Sequence, residues 1–224
     1  MNALPASRMD CLVVGGGPAG LVAATNLARY GRQACVVDRG ETRGQRPRHP
    51  RRGPGVPGAQ PGSRLLERIL RQAEAAGVVV CRGVVETLAR DGLGFVAEVD
   101  GVLVRARCVL IATGAIEPQT VACPLPLRRG HPRVWLHAAA APAPVVDTMQ
   151  AIRFARVPVD LAVALGARRA GDGHLEVDIR QSTCVPGLYA AGDVVAGLSE
   201  VAVAMAEAAV AATAIHRALP PNRH

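Results

Sequence analysis

Lysine is absent from this 224-residue chain: all 26 basic residues are arginines, and against 18 acidic residues they leave a formal charge of +8. A charge of that size invites a nucleic-acid reading. Arginine standing in for every lysine, beside abundant alanine, glycine and proline, is instead what a GC-rich coding sequence produces. Aromatic residues are almost as scarce. Tyr30, Phe95, Trp135, Phe154 and Tyr189 are the only ones, too few for a base-stacking platform, so nucleic acid is not an expected partner. The densest basic run (Arg39, Arg43, Arg46, Arg48, Arg51 and Arg52) reads as a solvated loop or as a cradle for a bound phosphate.

Long apolar runs are also missing. The opening MNALPASRMD holds no apolar core of signal-peptide length. The most apolar stretch, Val201 to Ile215, carries Glu207 near its middle and falls short of the roughly 20 residues that cross a bilayer. No membrane association is expected. The six cysteines (Cys11, Cys35, Cys81, Cys108, Cys123 and Cys184) form no C-x-x-C pair, and a chain of this length buries enough core to need no disulfide or metal staple. Four of them fall inside expected strands, where cysteine acts as a small buried hydrophobe. The chain therefore reads as cytoplasmic with reduced thiols. His131 and His137 have no carboxylate or thiol at ligand spacing, so no metal site is expected.

What is present organises itself around buried strands. Residues 11–15, CLVVG, form an apolar strand ending in glycine. A helix from Pro18 to Tyr30 follows, with proline at its first position and Gly31 past its end. Ala34 to Asp38 makes a second strand and completes a βαβ unit. Residues 39–62 are too rich in Arg, Gly and Pro for regular structure. Ser63 is expected to cap a helix running to Ala76. From Val78 the period becomes two, with strands at 78–81, 84–90, 95–99 and 102–107 read as an antiparallel meander. A separate buried strand, 108–114, comes next. Residues 115–146 lose periodicity. A short helix around Pro158 to Leu165, a turn at 171–173, a strand from His174 to Ile179, a buried strand at 188–192 and a helix from Ser199 to Leu219 complete the chain.

Three constellations carry chemistry. GGGPAG at 15–20 contains G-x-G-x-x-G as Gly15, Gly17 and Gly20, between strand and helix. Those glycines allow a tight turn, close approach to a pyrophosphate and close helix–strand packing. The helix N-terminus supplies N–H groups and partial positive charge. Asp38, ending the second strand, can accept from ribose hydroxyls and repels a 2′-phosphate. IATGA at 111–115 and TCVPGLYAAGD at 183–193 each end a buried strand in a glycine turn, the second adding the carboxylate of Asp193.

In this order the three pieces resemble the FAD domain of the thioredoxin reductase-like (class II pyridine nucleotide-disulfide oxidoreductase) family, over residues 10–114 and about 160–219. The resemblance implies an α/β fold: a three-layer FAD/NAD(P)-binding Rossmann-like domain with a parallel sheet and an antiparallel β-meander. It implies FAD as cofactor. Gly15, Gly17, Pro18 and Ala19 would hold the pyrophosphate, Asp38 and Arg39 the adenosine ribose, and Val85 the adenine through its backbone. Thr113 and Gly114 would line the adenine and pyrophosphate side. Gly192 and Asp193 would face the ribityl chain, and Glu200 and Val201 would present N–H groups to the flavin N1/O2 edge. Gly44-Gln45 and the turn at 54–58 are similar to the family's loop beside the isoalloxazine, though Arg52 stands near where the family tends to place Asn.

The family also inserts, between its ATG motif and its last segment, an NADPH domain with a second glycine fingerprint and a C-x-x-C. Here residues 115–182 hold neither, and no catalytic side chain is assigned. The expected organisation is an FAD-binding domain in two segments, 1–116 and 147–220, joined by an irregular linker at 117–146. The functional expectation is an FAD-dependent oxidoreductase reduced by an external donor: a flavoprotein, a ferredoxin-like protein, a thiol or NAD(P)H. The alternative is a catalytically degenerate FAD-binding module acting as sensor or interaction partner. Family members commonly pair, which leaves a homodimer open.

Overall fold

The computed structural model describes residues 4–5, 7–40, 62–115, 133–135, 145–147 and 157–221. Its spine is a parallel array. β1 (Met9–Val14) lies between β2 (Ala34–Asp38) and β6 (Val102–Ile111), β3 (Val79–Arg82) flanks β2, and β9 (Leu188–Ala190) pairs with β6. The interior of β1 is almost wholly buried, and β2 is buried at Cys35, Val36 and Val37. Such continuous apolar runs are what a sheet covered on both faces demands.

β6 is one strand where the sequence reading placed two. Its residues 102–106 pair antiparallel with β5 (Gly94–Val99), which pairs in turn with β4 (Val85–Asp91). Its second half runs parallel to β1 and β9. Burial alternates from Leu103 to Arg107 and then becomes continuous over Cys108–Ile111. The strand thus passes from a sheet with one wet face into one covered twice, and that change of period suggested a break that does not exist. β3 is likewise not part of the meander, since it joins the parallel sheet beside β2.

Helices cover one face. α1 (Pro18–Arg29), α2 (Gly62–Ala75) and α4 (Val201–Ala218; the intervening α3 spans Asp160–Ala164) enclose a core with Val13, Val36 and Leu110 of the sheet. On the other face Leu88, Phe95, Ala97 and Val104 of the meander close over Leu12, Val37 and Val109, together with Ala162 of α3. The three-layer α/β arrangement expected from the sequence is therefore present.

Three smaller expectations are corrected. Ser63 lies inside the first turn of α2, which starts at Gly62, so it is not the cap. His174–Ile179 forms single bridges through Leu175, with no strand. Asp178 Oδ1 accepts from the N–H groups of Arg180 and Ser182, at 2.9 and 2.8 Å; this side-chain competition draws the backbone into a turn. Within the stretch expected to be irregular, β7 (Arg133–Trp135) pairs antiparallel with β8 (Val145–Asp147). The Gly44-Gln45 and 54–58 expectations, and those on Cys123, His131 and His137, lie outside the described residues.

α4 runs 18 residues, within the expected Ser199–Leu219 span, and by length and composition alone is apolar enough to cross a membrane. Its apolarity has a local explanation. Ala204, Ala208, Ala211, Ala212 and Ile215 are buried in the core shared with α1 and the sheet. Its C-terminus is gripped by Arg32, a buried residue. Arg32 Nε donates to His216 Nδ1 at 3.1 Å, and its terminal nitrogens donate to the carbonyls of His216, Leu219 and Pro220 at 3.0, 3.3 and 2.7 Å. A cation on the last carbonyls of a helix satisfies orphan acceptors and opposes the negative end of the dipole. Arg32→Ala is expected to cost about 2–3 kcal/mol in urea unfolding, and Arg32→Lys, which lacks the planar fork, to recover only part of it. An unchanged midpoint in the alanine variant would contradict this account of the helix end.

Candidate functional site

The carboxyl ends of β1, β2, β6 and β9 open into one cavity of about 440 Å³, within the size range of a cofactor site. The chain leaves β1 on one side toward β2 and has β6 on the other. That is the strand-order reversal where open α/β sheets bind ligands.

The glycine turn at the head of this cavity is built by close backbone contact. Gly15 has φ +111°, and a Cβ there would lie 2.4 Å from the carbonyl oxygen of Ala112. A Cβ on Gly20 would lie 1.9 Å from the carbonyl oxygen of Gly15. No side chain larger than hydrogen fits either place, and α1 is thereby drawn down onto the turn. Gly17 is the N-cap and Pro18 the first residue of α1; no side chain caps the helix and no acid stands in its first turn. The positive end of the helix faces the cavity, and α1 itself places no acid beside it. A pyrophosphate-bearing dinucleotide fits this cradle.

Asp38 is more tightly engaged than a ribose acceptor need be. Its Oδ1 accepts from Gly16 N–H at 2.9 Å and its Oδ2 from Gly40 N–H at 3.0 Å. The carboxylate therefore clamps the glycine turn to the end of β2, and each oxygen keeps a lone pair for a ligand hydroxyl. Gly16 falls outside the G-x-G-x-x-G spacing, yet it is required as glycine: a Cβ there would come within 2.8 Å of Asp38 Cβ.

The structure brings the expected residues together. Gly15, Gly17, Pro18, Ala19, Asp38, Arg39, Val85, Thr113, Gly114, Gly192, Asp193, Glu200 and Val201 all line the cavity. Gln45 lies outside the described residues. The lining also includes Gly83, Val84, Glu86, Pro158, Asp160, Leu161 and Ser199, which no motif signalled because each reaches the cavity only through the tertiary fold. Thr113 shows how: its Oγ1 donates to the carbonyl of Pro158 at 3.0 Å, tying the end of β6 to the segment that enters α3. In T-x-x-P-G the Thr183 hydroxyl is buried, donates to Leu188 O at 2.9 Å and accepts from Val185 N–H at 3.1 Å, which holds the loop leading into β9.

One half-buried acid was not anticipated as part of the site. Glu207 Oε2 accepts from the N–H of Gly192 at 2.8 Å. Burial pushes its carboxyl above the usual range and the charge of Asp193 adds to this, while the Gly192 bond opposes it.

The thiols are placed for packing. Cys11 and Cys108 face each other across β1 and β6, and Cys35 Sγ lies 3.9 Å from Cys81 Sγ between β2 and β3. All four are buried and free. Burial raises Cys35 to about 12, Cys108 to about 11 and Cys11 well above its ordinary value. Thiolate is the reactive form, so alkylation at pH 8 should label exposed Cys184 while these four react only after denaturation; native labelling of any of them at the Cys184 rate would contradict this burial. Thiols in the unfolded chain ionise near pH 9, whereas the folded ones keep their protons to about 11 or above. Between those values the unfolded state binds fewer protons, so stability falls as pH rises, by about 1.4 kcal/mol per pH unit for each retained proton. Unfolding midpoints measured from pH 8 to 11 check the sign.

The model of the family described as pyridine nucleotide-disulphide oxidoreductase matches residues 9–163. A thioredoxin reductase of Aquifex aeolicus (strain VF5) is 34% identical over 116 residues, covering 50% of this chain and 36% of that protein; the chain thus matches about a third of this curated relative's length. Among solved structures, a thioredoxin reductase from Gloeobacter violaceus aligns with a TM-score of 0.74 at 19% identity, over 97% of this chain and 98% of that one. A ferredoxin-flavin thioredoxin reductase from Clostridium acetobutylicum aligns with a TM-score of 0.70 at 15% identity, over 95% and 97%. At such identities the likeness is one of fold. The family match covers most of the chain, and the cradle at the head of the cavity has the form its FAD-binding members require. The chain belongs to the pyridine nucleotide-disulphide oxidoreductase family, as a thioredoxin reductase-like domain of the FAD-binding kind.

Proposed function

We propose that this protein is an FAD-dependent oxidoreductase of the thioredoxin reductase type that receives electrons from an external donor. The observation that carries the reading is the convergence of three separate stretches of sequence, 15–19, 113–114 and 192–201, on one cavity at the switch point of the sheet. In this reading residues 1–116 and 147–220 form the FAD-binding unit, and 117–146, with the short β7–β8 pair at its end, connects them.

The roles follow from chemistry the residues already possess. The N-terminus of α1, with Gly15, Gly17, Pro18 and Ala19, would hold the pyrophosphate against unpaired N–H groups. Asp38 and Arg39 would bind the adenosine ribose and Val85 the adenine. Thr113 and Gly114 would line the wall between them. Asp193 would accept from the ribityl hydroxyls. The N-terminus of α4, capped at Glu200 with no side-chain hydrogen bond and no acid in its first turn, would stabilise negative charge at the edge of the ring system seated there. Bound FAD supplies the redox chemistry, taking up electrons from a donor and delivering them to an acceptor.

The external donor is inferred from what the chain holds between its two halves. Residues 115–182 contain no second glycine fingerprint, and no C-x-x-C occurs anywhere in the sequence. The donor classes that suit an FAD domain on its own are a flavoprotein, a ferredoxin-like protein, a diffusible thiol and NAD(P)H. The occurrence of the fold in a ferredoxin-flavin thioredoxin reductase is compatible with a protein donor. Free, buried thiols support a reducing, cytoplasmic setting.

Protein purified with or incubated in FAD is expected to carry close to one flavin per chain after denaturing release. Asp38→Ala and Asp193→Ala should each weaken FAD binding about ten-fold or more, the scale of a lost hydrogen bond to a charged group. A protein that stays colourless in excess FAD would overturn the cofactor assignment. Bound flavin that none of the four donor classes reduces anaerobically would overturn the oxidoreductase reading while leaving the cofactor in place.

A further inference from the structure

Glu207 belongs to none of the motifs that mark the cavity and does not line it, yet it is bonded to the turn that carries Asp193. It stands three residues after Ala204 and four before Ala211, both buried, so it shares the inward stripe of α4. Its carboxylate reaches the N–H of Gly192 at 2.8 Å. Gly192 has φ +81°, and a Cβ there would come within 3.0 Å of Ala19 Cβ and 3.6 Å of Ala204 Cβ. The Gly192–Asp193 turn is therefore wedged between the first turns of α1 and α4, and Glu207 holds it from the helix side.

The place is an unfavourable one for an acid, being half-buried and close to a second carboxylate, Asp193. The Gly192 N–H is what offsets that cost. Other bonds keep the turn folded: Ala191 N–H to Ile111 O at 3.1 Å and Val195 N–H to Gly192 O at 2.8 Å. Glu207 therefore decides the aim of the turn more than its existence.

We propose that Glu207 is a positioning residue for the cofactor. By anchoring the Gly192 amide it fixes the direction in which Asp193 presents its carboxylate to the ribityl hydroxyls of FAD. This rests on the FAD reading above and adds to it a residue that does not touch the cofactor. A backbone amide is a stiff anchor, so a small rotation at Gly192 moves the neighbouring carboxylate directly.

The test uses the full chain with Glu207→Ala and Glu207→Gln, read by FAD titration, by thermal unfolding of the apoproteins and by amide hydrogen exchange at Gly192 in the apoproteins. The alanine variant should bind FAD about ten-fold more weakly and exchange the Gly192 amide about ten-fold faster. The glutamine variant, whose amide oxygen still accepts, should stay near the wild type in both. Equal Gly192 protection in all three proteins overturns the proposal whatever FAD does. So does a loss of thermal stability in the alanine variant with FAD affinity unchanged. A wild-type protein that takes up no FAD sinks the cofactor reading and this inference with it, whereas a wild type that binds FAD no more tightly than the alanine variant sinks this inference alone.

Discussion

The nucleotide end of this protein depends on backbone meeting backbone with no side chain between. Gly20 lets α1 rest on the carbonyl of Gly15, and Gly15 lets the same turn rest on the carbonyl of Ala112 at the end of β6. The 15–20 turn and the end of β6, distant in sequence, are thus drawn to one point at the head of the cavity. A methyl group at either glycine would have to displace main chain, which has no cheap way to yield. The same closeness turns the N-terminus of α1 toward the cavity, so the packing constraint and the anion site have one origin.

β6 carries that arrangement across the molecule. It is the central partner of β1 and β9 at one end and of β5 at the other. A single strand therefore connects the doubly covered sheet to the meander, and Val85, at the start of β4, comes to share a cavity with Gly15 and Asp193. The second support is the clamp on α4. Arg32 holds its last carbonyls and Glu207 ties its early turns to Gly192. Both contacts run between segments far apart in sequence, and both use a charged side chain on backbone groups, where hydrogen bonds are strongest per bond. A helix that is otherwise mostly alanine on its buried face has little side-chain shape with which to fix its own register, and these two polar contacts supply it.

Much of this was legible from residue order alone. The βαβ unit around GGGPAG was expected with Ala34–Asp38 at its observed bounds, because glycine, proline and continuous apolar runs are local signals with local causes. Thirteen of the expected cofactor residues meet in one cavity, most of them where a buried strand ends in a glycine turn or a helix begins, which are local signals too. The misreadings share a different cause. The break placed inside β6 and the assignment of 78–81 to the meander both arose where burial depends on what covers the strand. The strand placed at His174–Ile179 failed because Asp178 captured backbone N–H groups that the periodicity could not show to be contested.

By itself the sequence determined the strand–turn–helix unit, the strand-end carboxylates and the lack of a dithiol pair, since these rest on short-range spacing and on composition. The tertiary structure alone brings Asp38 to the Gly16 amide, makes glycine obligatory at position 16 and carries Glu207 to Gly192. Each of these is a contact between segments 15 or more residues apart. Whether such groups meet depends on how α1, α4 and the sheet settle against one another, a condition of packing that leaves no periodic or compositional trace in the chain.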